Sequence, residues 1–146
     1  MRGVARTFFS KEDQEEITRA IMKAELETSG EIRVHIDENC PGEVLDRAAH
    51  VFKTLHMHHT HHRNGVLIYM AVNHHKFAII GDKGINKVIP ANFWDDTKEG
   101  MLRLFRQNQF REGLIFAITS TGEHLARYFP AQVDDKNELP DDISFG

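Results

Sequence analysis

The sequence predicts an α/β protein, a three-layer α/β/α sandwich built on a small mixed β-sheet. Residues 66–72 and 77–80 are continuous apolar runs of strand length joined by a polar tetrapeptide, Asn-His-His-Lys, the pattern of a hairpin buried on both faces. Residues 31–37 alternate Ile32, Val34 and Ile36 with Arg33, His35 and Asp37, a period of two that marks a half-buried strand. Around these runs apolar residues recur at helical spacing.

Taken in order, Ser10 before Lys-Glu-Asp reads as a helix N-cap with acidic residues in the first turn, and Ile17, Ala20, Ile21 and Ala24 continue the helix until Gly30 stops it. After the alternating strand, Pro41-Gly42 breaks the chain. Val44, Leu45, Ala48, Ala49, Phe52 and Leu55 then mark an amphipathic helix. The hairpin follows. Residues 91–107, with Phe93, Trp94, Met101, Leu102 and Phe105, and residues 111–129, with Leu114, Ile115, Ile118 and Leu125, are two further helices. Trp94 is read as core, and Gly113 and Gly122 within the last helix as points of close packing. Residues 1–130 form the domain. Residues 131–146, acidic and poor in large apolar side chains, are expected to be a flexible tail without a further element.

A strand, a crossover helix and a second strand favour a parallel pair, and the short turn makes the third strand antiparallel to the second. Glu31 and Asn64 open the first two strands, Asp82 closes the third, and Asp95 and Asp96 follow, so all belong at one end of the sheet. These carboxylates, with Asn64 and turn carbonyls, are hard oxygen donors suited to Ca²⁺ or Mg²⁺. The same residues have structural uses, because acidic groups in a first helical turn stabilise its dipole and an aspartate between glycines can hold a turn. Parallel α/β sheets more often place ligands beyond the carboxyl ends of strands. Here that end carries Asp37, Glu38, Cys40, Glu43, His74 and His75.

With 146 residues, the chain has room for one domain and no second. Lys and Arg total 18 against 22 acidic residues and form no basic stripe, which argues against a nucleic-acid partner. The single cysteine, Cys40, excludes an internal disulfide and is expected as a free surface thiol. No apolar run approaches membrane length, so a cytoplasmic monomer without a membrane anchor is expected. His56, His58, His59, His61 and His62 have no zinc-motif spacing and read as solvated loop residues. Ser29, Ser120 and Ser144 lack a nucleophile-elbow context.

The segments Ser29-Gly30-Glu31-Ile32-Arg33-Val34, Arg63-Asn64-Gly65-Val66-Leu67-Ile68, Gly81-Asp82-Lys83-Gly84-Ile85 and Phe110-Arg111-Glu112-Gly113-Leu114, in this order, resemble the TPM domain family over about residues 10–130. The resemblance implies an α/β sandwich. Members include a thylakoid-lumen protein described as an acid phosphatase and membrane-tethered bacterial and animal proteins, and calcium binding is associated with the family. The resemblance therefore points to Asp82, Asp95 and Asp96, with Glu31, as metal ligands. Two functions follow as expectations. One is a Ca²⁺-binding, or Mg²⁺-binding, module that shapes a surface for a protein partner. The other is a metal-assisted phosphomonoesterase in which Lys83 or Arg63 holds the phosphate.

Overall fold

The computed structural model describes residues 4–90, 92–131 and 139–146. Its elements are α1 (Val4–Phe8), α2 (Lys11–Glu25), β1 (Glu31–Asp37), α3 (Val44–Thr54), a 3₁₀ turn (Met57–His59), β2 (Gly65–Ala71), β3 (Lys76–Gly81), α4 (Lys83–Asn86), α5 (Asp95–Arg106), α6 (Phe110–Tyr128) and β4 (Ser144–Phe145). Among the described residues the strands form one mixed sheet in the order β3-β2-β1-β4. The α/β class expected from the sequence is the observed one.

The pairing follows the predicted logic. β1 and β2 run parallel from Glu31 opposite Gly65 to Asp37 opposite Ala71, and β2 and β3 run antiparallel from Val66 opposite Gly81 to Ala71 opposite Lys76. Every residue of β2 is buried because the sheet is covered on both faces. Val66, Ile68 and Met70 point into a core shared with Ile17 and Ile21 of α2 and with Leu114 and Ile118 of α6. Leu67, Tyr69 and Ala71 point the other way, against Ala48 and Val51 of α3. A continuous apolar run is therefore the signature of a strand with two cores rather than one.

The helix signals resolve into specific contacts. Ser10 Oγ accepts from Asp13 N at 3.0 Å, the N-cap bond that opens α2. Where α2 crosses α6, a Cβ placed on Gly122 would lie 2.7 Å from the Cβ of Ala24, so only glycine lets the two backbones approach this closely. α5 begins at Asp95, because Phe93 N bonds to Pro90 O in a turn that precedes it; the expected start, residue 91, lies outside the described residues.

Three expectations are corrected. The end of the chain adds an element, since Ser144 and Phe145 pair parallel with His35 and Ile36 of β1; residues 132–138 of the expected tail lie outside the described residues. β1 is not half-exposed, for Glu31, His35 and Asp37 are buried along with its apolar residues. Polar alternation here reflects a buried hydrogen-bond network on the α3 side of the sheet. Cys40 is not on the surface either. It is only 1% exposed and packs in the α3-side core, with its thiol 3.7 Å from the carbonyl of Gly42.

Candidate functional site

The amino ends of β1 and β2 and the carboxyl end of β3 do meet, as the topology requires. Gly84 explains the tight joint there: its N–H donates to the carbonyl of Arg63 at 2.8 Å, and a Cβ would collide with the carbonyls of His62 and Arg63. Asp82 is buried at this joint and fully engaged. Arg63 Nε and Nη2 donate to its two carboxylate oxygens at 2.8 and 2.9 Å, and Lys83 N donates to Oδ1 at 2.7 Å as the cap of α4. The bidentate bond raises the Arg63 pKa above its usual value. Arg63 itself sits in the left-handed region, at φ 53, as does His56 at φ 56.

The other predicted ligands at this end have separate surroundings. Asp95 and Asp96 are exposed in the first turn of α5, where their charge complements the helix dipole. Glu31 is buried and accepts the backbone N–H of Leu139 at 2.5 Å, a contact that ties down the returning end of the chain. Among the described residues, no group of three or more His, Cys, Asp or Glu side chains is arranged to hold a metal ion. The histidines of the 3₁₀ turn pack on one another, with the His58 and His59 rings edge to face and 4.1 Å apart. His58 is held below its usual pKa by partial desolvation and then by the neighbouring His59 and Arg63 charges.

The carboxyl ends of β1 and β2 hold the denser chemistry. Asp37, 3% exposed, lies at the centre. Arg47 of α3 donates to it from Nε at 2.7 Å and from Nη2 at 3.1 Å, Tyr69 of β2 donates its hydroxyl at 2.5 Å, and His35 Nε2 lies 2.8 Å away. Because a carboxylate only accepts, His35 carries a proton on Nε2, and its Nδ1 meets Ser144 Oγ of β4 at 2.9 Å. Burial, the largest single influence, works to raise the Asp37 pKa. The bonds from His35, Arg47 and Tyr69 together outweigh it and hold the carboxyl well below its usual range. Burial and the bond to Asp37 push the Tyr69 phenol above its own.

Ser144, His35 and Asp37 thus stand in line, like a nucleophile, a base and an orienting acid. Arg47 offsets the Asp37 charge, which weakens the stabilisation that the aspartate of a hydrolase triad gives its imidazolium. The line instead fastens three strands and α3 to one another. Beside it opens a cavity of about 670 Å³ whose wall includes Asp37, Glu38, Asn39, Glu43, Asp46 and Arg47. The loop beneath is braced by Lys76, whose ammonium donates to the carbonyls of Cys40 and Gly42 at 2.8 and 2.9 Å, and by His74 Nδ1, which accepts from Cys40 N at 2.8 Å.

This network was hidden from sequence reasoning, although it left one sign. A tyrosine in the middle of an apolar strand, in register with a histidine on the neighbouring strand, needs a buried partner for its hydroxyl. Asp37, two residues beyond that histidine and on the same face, is that partner.

The fold agrees with the comparisons. The TPM domain model matches residues 5–124. The chain is similar to the BA42 protein of the psychrophilic bacterium Bizionia argentinensis, whose NMR structure shares 47% identity, covers 95% of this chain and 96% of that one, and superposes with a TM-score of 0.91. The fold also recurs in the N-terminal domain of a protein from P. gingivalis, at 14% identity, a TM-score of 0.67, and 84% and 80% coverage of this chain and that one. It recurs again in the N-terminal domain of the cg2496 protein of Corynebacterium glutamicum, at 14% identity, a TM-score of 0.64, and 79% and 72% coverage. No curated protein matches the chain. No helix among the described residues is long and apolar enough to cross a membrane. The chain belongs to the TPM domain family.

Proposed function

We propose that this TPM domain is a divalent-cation-binding interaction module, with Ca²⁺ its preferred ion, and that the ion is held at the carboxyl ends of β1 and β2. The observation that supports this end is the 670 Å³ cavity with Glu38, Asn39, Glu43 and Asp46 on its wall. All four offer hard oxygen donors. Ca²⁺ accepts six to eight such ligands in flexible geometry, and these come from a loop and the first turn of α3, which would have to draw closer together than they stand to surround an ion. Mg²⁺, with its strict octahedral demand, fits such a loop less well.

The second reading keeps the ion beside Asp82, Asp95 and Asp96. It has to overcome the bidentate Arg63 bond and the α4 cap, both of which already occupy the Asp82 oxygens. Glu31 is drawn away from that set by Leu139. A calcium titration followed by amide NMR separates the two. Saturable shifts at residues 38–46 support the first site, shifts confined to residues 81–84, 95 and 96 support the second, and an unchanged spectrum at millimolar Ca²⁺ refutes both. The phosphomonoesterase reading is ranked below binding because the aligned serine, histidine and aspartate are tied to Arg47. Hydrolysis of a generic phosphate ester that disappears in chelator and in Glu43→Gln would reverse that ranking.

A further inference from the structure

The turn joining β2 to β3 and the turn joining α5 to α6 come together near the carboxyl end of β2, and a slot of about 120 Å³ opens between them. Its interior is apolar. Met70, Leu102, Phe105 and Phe110 line it, and Met70 is only 1% exposed, so the floor is the core itself. The Phe105 and Phe110 rings stand 5.4 Å apart and tilted by 37°, and Phe77 packs edge to face on Phe105, which fixes that ring in place.

The mouth is polar and of one sign. Arg106 follows Leu102 by one helical turn on α5, so it stands on the same face of the helix; it is exposed and forms no ion pair among the described residues. His75, held at φ 50 in the hairpin turn, lies 5.8 Å ring to ring from Phe110 and presents an N–H donor whether neutral or protonated. Lys76 lends only its stem, because its ammonium is bound to the carbonyls of Cys40 and Gly42. Among the described residues no carboxylate lines the slot. Glu99 and Glu112, the nearest in sequence on the two helices, are paired with Arg103 and Arg111. The end of α5 and the start of α6 meet here, so their dipoles oppose each other and Arg106 sets the sign.

We propose that this slot binds a small aromatic carboxylate, with its ring inward between Phe105 and Phe110 and its carboxylate outward to Arg106 and His75. Size limits the occupant, since a dry apolar cavity of about 150 Å³ admits one benzene ring and this slot is slightly smaller. The phenylalanine rings and the Met70 thioether favour an aromatic ring over an alkyl group of equal volume. A carboxylate in the mouth stays partly hydrated, which avoids the cost of burying its charge. The slot shares no lining residue with the cavity that holds Glu38, Glu43 and Asp46, so it stands or falls independently of the ion.

The test titrates benzoate, benzamide and acetate separately into the isotope-labelled full chain and follows the amide NMR spectrum. Benzoate should give saturable shifts at residues 75, 76, 102, 105, 106 and 110, with a dissociation constant of about 1 mM. Benzamide, equal in shape but uncharged, should bind at the same residues about fivefold more weakly, and acetate should not bind. Arg106→Gln should weaken benzoate by about fivefold and leave benzamide unchanged, a difference that a general loosening of the helix would not produce. Leu102→Phe places a ring of the chain's own in the slot and should abolish uptake of both while β1 signals keep their native positions. The proposal is overturned if about 10 mM benzoate gives no saturable shift, if acetate reproduces the benzoate shifts, if Arg106→Gln weakens benzamide as much as benzoate, or if Leu102→Phe still binds both.

Discussion

Asp37→Ala should be among the most damaging single substitutions in this domain. The change removes a buried acceptor and leaves three donors behind. The Tyr69 hydroxyl, on a residue with 0% exposure, and the His35 Nε2 each lose their partner in a place closed to water, at about 1–3 kcal/mol apiece. Arg47 is different, since its side chain is 38% exposed and water can replace the lost carboxylate, so it adds about 0.5 kcal/mol. The expected loss is about 3–5 kcal/mol at neutral pH, in keeping with the cost of breaking a buried charged pair from one side. With a urea m-value of about 2 kcal/mol/M, the unfolding midpoint should fall by about 1.5–2.5 M, measured by circular dichroism. The sign of the pH dependence is set by the depressed Asp37 pKa. A carboxyl held below its unfolded value adds stability above about pH 4 and loses it as pH falls toward the folded value. The gap between wild type and variant should therefore narrow from pH 4 to pH 2. A midpoint shift under about 0.5 M at pH 7, or a gap that widens in acid, would refute the network as the brace of this end of the sheet.

Three other outcomes follow from single contacts. Gly84→Ala should cost about 2–3 kcal/mol, read as a lowered thermal midpoint, because the added methyl has rigid carbonyls of His62 and Arg63 to displace. Arg63→Met should lower the midpoint by less than Asp37→Ala does, since its side chain is 41% exposed, and high salt should shrink the difference further. Glu25 is pushed up to about 9, first by burial and then by its hydrogen bond with Asp141, with Glu31 adding like charge and Ile32 N working the other way. The folded state thus keeps a proton that the unfolded state releases near pH 4.5, and stability should fall as pH rises from there to about 9. Glu25→Gln should flatten the midpoint across that window; the same slope in wild type and variant would show that another group is responsible.

Much of the framework could be read from residue order because it depends on local pattern. The alternation of residues 31–37 and the runs at 66–72 and 77–80 correspond to β1, β2 and β3, and the parallel then antiparallel pairing follows from the lengths of their connections. What escaped depends on partners distant in sequence. Ser144 and Phe145 carry no strand pattern of their own, and become a strand only because His35 and Ile36 offer an edge 109 residues earlier. Asp82 looked available for an ion because its sequence neighbours are glycine and lysine. Its real partner, Arg63, is placed by a left-handed turn across the hairpin's open end. Asp37, Arg47 and Tyr69 come together through the register of two strands and the docking of a helix, and no local spacing encodes that meeting.

The late position of β4 has a consequence for how the protein is made. Synthesis proceeds from the amino terminus, and β1 can pair with β2 as soon as residues 65–71 emerge, well before Ser144 exists. For that interval the nascent domain exposes a bare β-edge beside a half-formed core, the arrangement most prone to pairing with the wrong chain. Arg33, in the middle of that edge strand, is a charged residue of the kind that disfavours such pairing. β4, made after the strands it joins, then closes the edge on its own chain.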